Sequence, residues 1–212
     1  MKRIVSLLLC ALCVVVIGCG KTGEAVTDQQ KIPKTYPAVA YDMLQLRSSL
    51  YMDINEFKKT DLGSMFTSTG DAFYVLEPSS IYNSYEYDEM VASAIIRCEN
   101  DQIVSAWYRF ESPIIGDLTS IYYDLKNEIS EDLKEYDGEM ARFVGEITDS
   151  TIISDQETLN VSLEEFIEAQ DGECCEEYWF WDTEDIKITL SIILNDNTFS
   201  RSYVALFFDP LS

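Results

Sequence analysis

Histidine is absent from all 212 residues. That absence removes Ser-His-Asp and Cys-His catalysis, the HExxH zinc proteases and every histidine metal site. Basic residues are scarce as well. The 15 Lys and Arg stand against 38 Asp and Glu, a formal charge of −23, with a pI near 4.1. A phosphate backbone is repelled by such a field, which argues against nucleic acid as a partner. No P-loop, GxGxxG or Ser-x-x-Lys pattern occurs, and Gly18-Cys19-Gly20 is the sole Gly-x-Gly. No catalytic residue, cofactor or metal ligand is assigned on these grounds, and the chain reads as non-enzymatic. The remaining composition, 47% hydrophobic and 25% charged, is that of a globular protein with one domain or two small ones.

The N-terminus carries the most specific signal. Lys2 and Arg3 precede an apolar run from Ile4 to Ile17, broken by Ser6 alone. The run fits a secretory signal core and is short for a membrane span of about 20 residues. It ends in Val16-Ile17-Gly18-Cys19. These four residues resemble the lipobox of bacterial lipoproteins, with an aliphatic residue three before the cysteine and Gly immediately before it. The resemblance covers about the first 19 residues. It implies cleavage before Cys19 and a diacylglyceryl group on its sulfur. It further implies a palmitate-type anchor in the cell membrane or envelope, on the extracytoplasmic side, with each buried methylene contributing about 0.8 kcal/mol. Cys10 and Cys13 spell C-x-x-C but belong to the signal. The mature chain keeps 13 of the 15 bases and all 38 acids, a formal charge of −25.

The expected organisation is a signal peptide over 1–18, a lipidated cysteine and flexible tether over 19–36, and an acidic extracytoplasmic domain over 37–212. Lys21, Lys31 and Lys34 make the tether basic, which suits an anionic lipid surface beneath it. In the domain, Val39, Met43, Leu46, Leu50, Ile54 and Phe57 form one helical stripe starting at Pro37, with a recap over Asp53 to Glu56. Strands are predicted at 72–76 and, as a hairpin, at 90–98 and 102–110. Leu118, Ile121, Tyr122, Leu125, Ile129 and Leu133 form a second stripe capped by Asp117. Met140, Phe143, Val144 and Ile147 suggest a further helical piece, and Ser162-Leu163-Glu164-Glu165 is a capping box for a helix to Ala169. Strands at 178–182, 186–194 and 199–208 close the chain, with the last turn at Asn195-Asp196-Asn197. This order predicts an α+β fold, antiparallel sheet packed by helices. It also suggests two similar halves, 37–112 and 117–212, since an offset of 97 residues sets Val91, Ile95, Ile96, Asn100 and Phe110 on Ile188, Ile192, Ile193, Asn197 and Phe207.

Three clusters are candidates for function. Cys98 shares strand parity with Ala94 and Ile96 and is either a small buried hydrophobe or half of a disulfide with Cys174 or Cys175. Trp179 and Trp181, two apart on a strand and flanked by acids, either pack in the core or stack a sugar or cation. Tyr82, Tyr85 and Tyr87, mixed with Asp88 and Glu89, suit a protein- or peptide-binding loop or a plain solvated one. Asp182, Glu184 and Asp185 offer carboxylates for acid–base work, although so acidic a chain brings such groups together by chance.

The leading expectation is a lipid-anchored envelope lipoprotein, bound to the membrane through Cys19, whose acidic head binds a basic peptide or protein. One alternative is a carbohydrate-binding or carboxylate-dependent glycan-cleaving module. The other is a structural subunit of an envelope complex.

Overall fold

The computed structural model describes residues 32–70, 72–76, 90–144, 151–153, 159–170, 174–194 and 202–211. The signal and lipobox, the tyrosine-rich segment with Tyr82, Tyr85 and Tyr87, and the turn at 195–197 lie outside the described residues. The folded unit runs from Ile32 to Ser212.

Among the described residues, nine strands form one antiparallel sheet. They are β1 (Thr67–Ser68), β2 (Phe73–Leu76), β3 (Val91–Glu99), β4 (Gln102–Glu111), β5 (Glu139–Val144), β6 (Thr151–Ile153), β7 (Cys175–Asp182), β8 (Ile186–Leu194) and β9 (Tyr203–Pro210). Their spatial order is β1-β2-β3-β4-β9-β8-β7-β5-β6. The first four strands form a meander. Helix α2 (Ile115–Asp132) then leads to the far side of the sheet, where β5 and β6 make an outer hairpin. From there β7, β8 and β9 step back inward until β9 pairs with β4, Tyr108 opposite Leu206. Two shorter helices are α1 (Ile54–Phe57) and α3 (Leu163–Ala169).

One face of this sheet carries the core. Ala94, Ile96, Tyr108, Phe110, Ile188, Leu190, Leu206 and Phe208 point to it at alternating positions. Leu118, Ile121, Leu125 and Ile129 of α2 cover them, together with Ile54 and Phe57 of α1 and Leu163 and Phe166 of α3. The expected α+β fold is therefore corrected. The molecule is dominated by a single antiparallel sheet with one core, not by helix-plus-sheet halves. The 97-residue offset does not keep burial alike along the strands. It pairs Val91, 43% exposed, with Ile188, fully buried.

Two expected helices are absent, each for an identifiable reason. The stripe from Val39 to Phe57 folds as turns, a 3-10 turn at Leu46–Ser49 and the single turn of α1. Gln45 and Tyr51 take positive φ, which breaks helical continuity. Tertiary hydrogen bonds take over from helical ones: Leu44 N–H donates to Tyr108 Oη and Tyr51 N–H to the Ile103 carbonyl. The recap survives, since the Asp53 carboxylate accepts from Asn55 and Glu56 N–H. The piece expected beyond Met140 is strand β5, with Arg142 and Val144 alternating into the buried side.

Of the two remaining expected caps, one holds and one shifts: the N-cap of α2 is Ile114, not Asp117. The Ser162–Glu165 capping box is present in both directions and α3 ends at Ala169. Helix α2 starts two residues ahead of Asp117, which sits in its first turn, and the Ser112 hydroxyl donates to the Asp117 carboxylate. Negative charge there favours the helix dipole.

Candidate functional site

Trp179 and Trp181 both turn toward the core side. Trp181 is 2% exposed. The rings stack with centroids 6.0 Å apart, and the Lys126 ammonium lies 3.9 Å from the Trp179 centroid. Gly138 backs them closely, since a Cβ there would come 2.8 Å from Trp181 Nε1. Trp179 is half-buried, with Trp181 stacked against it and Lys126 over its ring.

Beneath this pair sits a saturated carboxylate. Glu177 on β7 accepts from Tyr122 Oη at 2.7 Å, Trp179 Nε1 at 3.1 Å and Arg142 Nε at 2.7 Å. Arg142 Nη2 completes the pair at 2.6 Å, and both side chains are at most 3% exposed. A further guanidinium donor reaches the Val161 carbonyl, tying β5 to the approach to α3. Burial and the adjacent Glu177 push the Tyr122 phenol well above its ordinary range. Desolvation, with the nearby Arg142 charge, lowers Lys126. With its acceptor positions filled, Glu177 is placed to hold α2, β5 and β7 together and not to take a proton from a substrate.

A second buried cluster fixes the N-terminal segment. The Asp42 carboxylate accepts from Leu46 N–H, Arg47 N–H, Arg47 Nε and Tyr108 Oη. Arg47 also donates to the Pro37 carbonyl and lies over the rings of Tyr36 and Tyr41. Tyr41 donates to Asp132 at the end of α2. No sequence motif announced this clip; Asp42 and Arg47 were hidden inside a stripe read for its apolar residues.

Cys98 is not brought together with Cys175 at the start of β7 or with Cys174 just before it. Cys98 is on β3, four strand spacings from β7, or about 19 Å, against the 4.4–6.8 Å between Cα atoms that a disulfide needs. Cys98 is a buried thiol whose pKa burial pushes up to about 11. Asp182, Glu184 and Asp185 surround the β7–β8 turn, where Thr183 Oγ1 donates to the Ile186 carbonyl and Lys34 pairs with Asp185. Among the described residues no three Asp, Glu or Cys converge as metal ligands. No described helix is long and apolar enough to cross a membrane.

The opposite face of the sheet carries no described helix. One row across it reads Ile95, Trp107, Phe207, Thr189, Phe180, and the next reads Ser93, Arg109, Ala205, Ser191, Tyr178. Ser191 and Ala205, each 1% exposed, are small residues between larger neighbours. Trp107 stacks on Phe207 and meets Phe73 edge-on; Tyr178 and Phe180 lie parallel. Arg109 covers the Tyr203 ring and Lys187 the Phe180 ring. The sequence held a signal for this face in the alternation Trp107, Arg109, Glu111 along β4.

These features define a single antiparallel sheet with its described helices on one face and aromatic rows on the other. No protein-family model matches the chain, and neither a curated protein nor a solved structure is significantly similar to it.

Proposed function

We propose that the chain is an envelope lipoprotein, anchored through Cys19, whose acidic head binds a basic protein or peptide and carries out no reaction. One observation supports this above the others: the placement of the cations. Two of the 38 acids and four of the 15 bases precede Ile32, which leaves residues 32–212 with 36 acids against 11 bases, or −25. Nine of the ten described cations are already engaged. Lys34, Arg47, Lys59, Arg97, Arg109 and Arg142 pair with Asp185, Asp42, Glu56, Glu99, Glu111 and Glu177. Lys58 and Lys126 lie over Tyr74 and Trp179, and Lys187 over Phe180. The surplus acids therefore have few internal counter-charges left. Their field reaches about 8 Å into physiological salt and steers a basic partner inward.

The lipid anchor supplies the location, holding this field at the envelope. Cys19→Ser tests the anchor: the variant accumulates as unprocessed precursor without labelled fatty acid, and continued incorporation would refute the assignment. Elution of a captured partner by a salt gradient tests the head. Release at moderate salt is the expected result, and retention unchanged at high salt contradicts capture by charge.

A further inference from the structure

We infer that the head stands over an anionic lipid surface on one end of its sheet, the end formed by the β3–β4 and β7–β8 turns, and presents the other end outward. The inference rests on the lipid anchor proposed above and adds the orientation. The β3–β4 turn, the β7–β8 turn and the end of β9 lie together, as the pairings Glu99–Gln102, Asp182–Lys187 and Ile186–Pro210 require. The N-terminal segment is fastened to that end at two places. Lys34 pairs with Asp185 in the β7–β8 turn. Tyr51 N–H donates to the Ile103 carbonyl and Ile54 N–H to the Asp101 carbonyl, at the β3–β4 turn. Between these points Tyr36 N–H donates to Ser48 Oγ, Arg47 donates to the Pro37 carbonyl, and Arg47 and Asp42 form a buried pair. The chain therefore joins the folded unit beside the β7–β8 turn.

Chain length and charge turn that point of attachment into an orientation. Thirteen residue steps join Cys19 to Ile32, so the attachment point stays within about 45 Å of the lipid. Strand β3 runs from Val91 at the far end to Glu99 at the near end, a length of about 26 Å. Residues 32–212 carry −25, whereas Lys21 and Lys31 lie in the segment leading to the lipid. An anionic surface attracts the two lysines and repels the body. A repelled body held at one end stands up, because lying flat brings its whole charge to the surface. At about 10 mM salt the screening length is about 30 Å, comparable with the strands, and at physiological salt it falls to about 8 Å. Glu99, Asp101, Asp182 and Glu184 are all exposed at the near end. That end therefore faces the lipid without adhering to it.

The test uses the mature acylated protein in nanodiscs, with an energy acceptor on the lipid headgroups. A donor dye is placed at one end of β3 or the other, by Glu99→Cys or Val91→Cys, in a Cys174→Ser background. With anionic lipid at about 10 mM salt, the Glu99→Cys label is expected to sit closer to the lipid than the Val91→Cys label by about 10–26 Å, the upper bound being the length of β3. The difference shrinks in zwitterionic nanodiscs and at high salt. Glu184→Cys at the near end and Ile114→Cys at the far end, both exposed, give the same order should either β3 variant fail to fold. Equal heights at low salt, a reversed order, or a difference that ignores lipid charge and salt overturns the orientation and leaves the anchor standing. A mature chain that carries no acyl group and leaves the nanodiscs overturns the anchor, and the orientation with it.

Discussion

Replacing Glu177 by Gln probes the buried centre of the molecule with a change of one atom. The carboxylate serves Tyr122 and Trp179 through Oε1 and Arg142 through Oε2. A Gln side chain has one acceptor and one donor end. With its oxygen toward Tyr122 and Trp179, its N–H groups face the Arg142 guanidinium; turned round, they face Trp179 Nε1–H. Either way two donors oppose each other, and Arg142, 3% exposed, loses its counter-charge. Breaking a buried pair from one side costs about 3–5 kcal/mol. Because one acceptor remains, the lower end applies, about 3 kcal/mol. At about 2–4 °C per kcal/mol for a unit of this size, the melting temperature falls by about 6–12 °C. Thermal unfolding followed by circular dichroism reads this directly. Arg142→Met alone is also costly, because it strands the Glu177 charge. The double variant Arg142→Met/Glu177→Gln is less destabilised than the sum of the singles, by about 2 kcal/mol. Singles that shift the midpoint by under about 2 °C, with additive doubles, would refute this account of the cluster.

Asp209 gives a pH dependence. Desolvation raises its carboxyl above the ordinary value, against the opposing pull of the Ser105 hydrogen bond and of Arg97 and Lys187. Its folded pKa therefore lies above its unfolded one, and the folded state binds more protons between the two. Stability falls as pH rises through that window and regains the difference on acidification. Asp209→Asn is expected to raise the urea midpoint at neutral pH and to lose that advantage below the ordinary aspartate range; a lowered midpoint at neutral pH contradicts the burial argument. Cys98, with its thiol held near 11 by burial, is expected to resist iodoacetamide at neutral pH in the native protein and to react after denaturation. Rapid native alkylation at Cys98, located by mass spectrometry, would show that the end of β3 is open.

How much of this was legible in the sequence differs element by element. The β3–β4 hairpin, α2, α3 and the closing strands announced themselves, because each carries its own period, turn or cap. Alternation in 91–99 and the Ser162–Glu165 box are local facts that tertiary contacts did not override. The segment 37–57 had helical spacing and no helix. Its stripe is real as burial, since Leu46, Leu50, Ile54 and Phe57 are all in the core. The Asp42–Arg47–Tyr108 network, spanning 66 residues of sequence, determines the backbone instead. The Trp pair was legible as a pair, and its face was not. Which side of a strand meets a helix depends on α2 crossing β8 and β9, and nothing local to residues 177–182 encodes that. The aromatic face was missed for the converse reason: Trp107 and Phe207 become neighbours only through the β4–β9 pairing that closes the sheet.

Salt dependence of binding tests the central claim most directly. A captured partner, purified and titrated against the mature protein across a range of ionic strengths, should weaken steadily as salt rises, with the loss carried largely by the association rate. An affinity and an association rate that do not change with salt would contradict an acidic head that works through its charge.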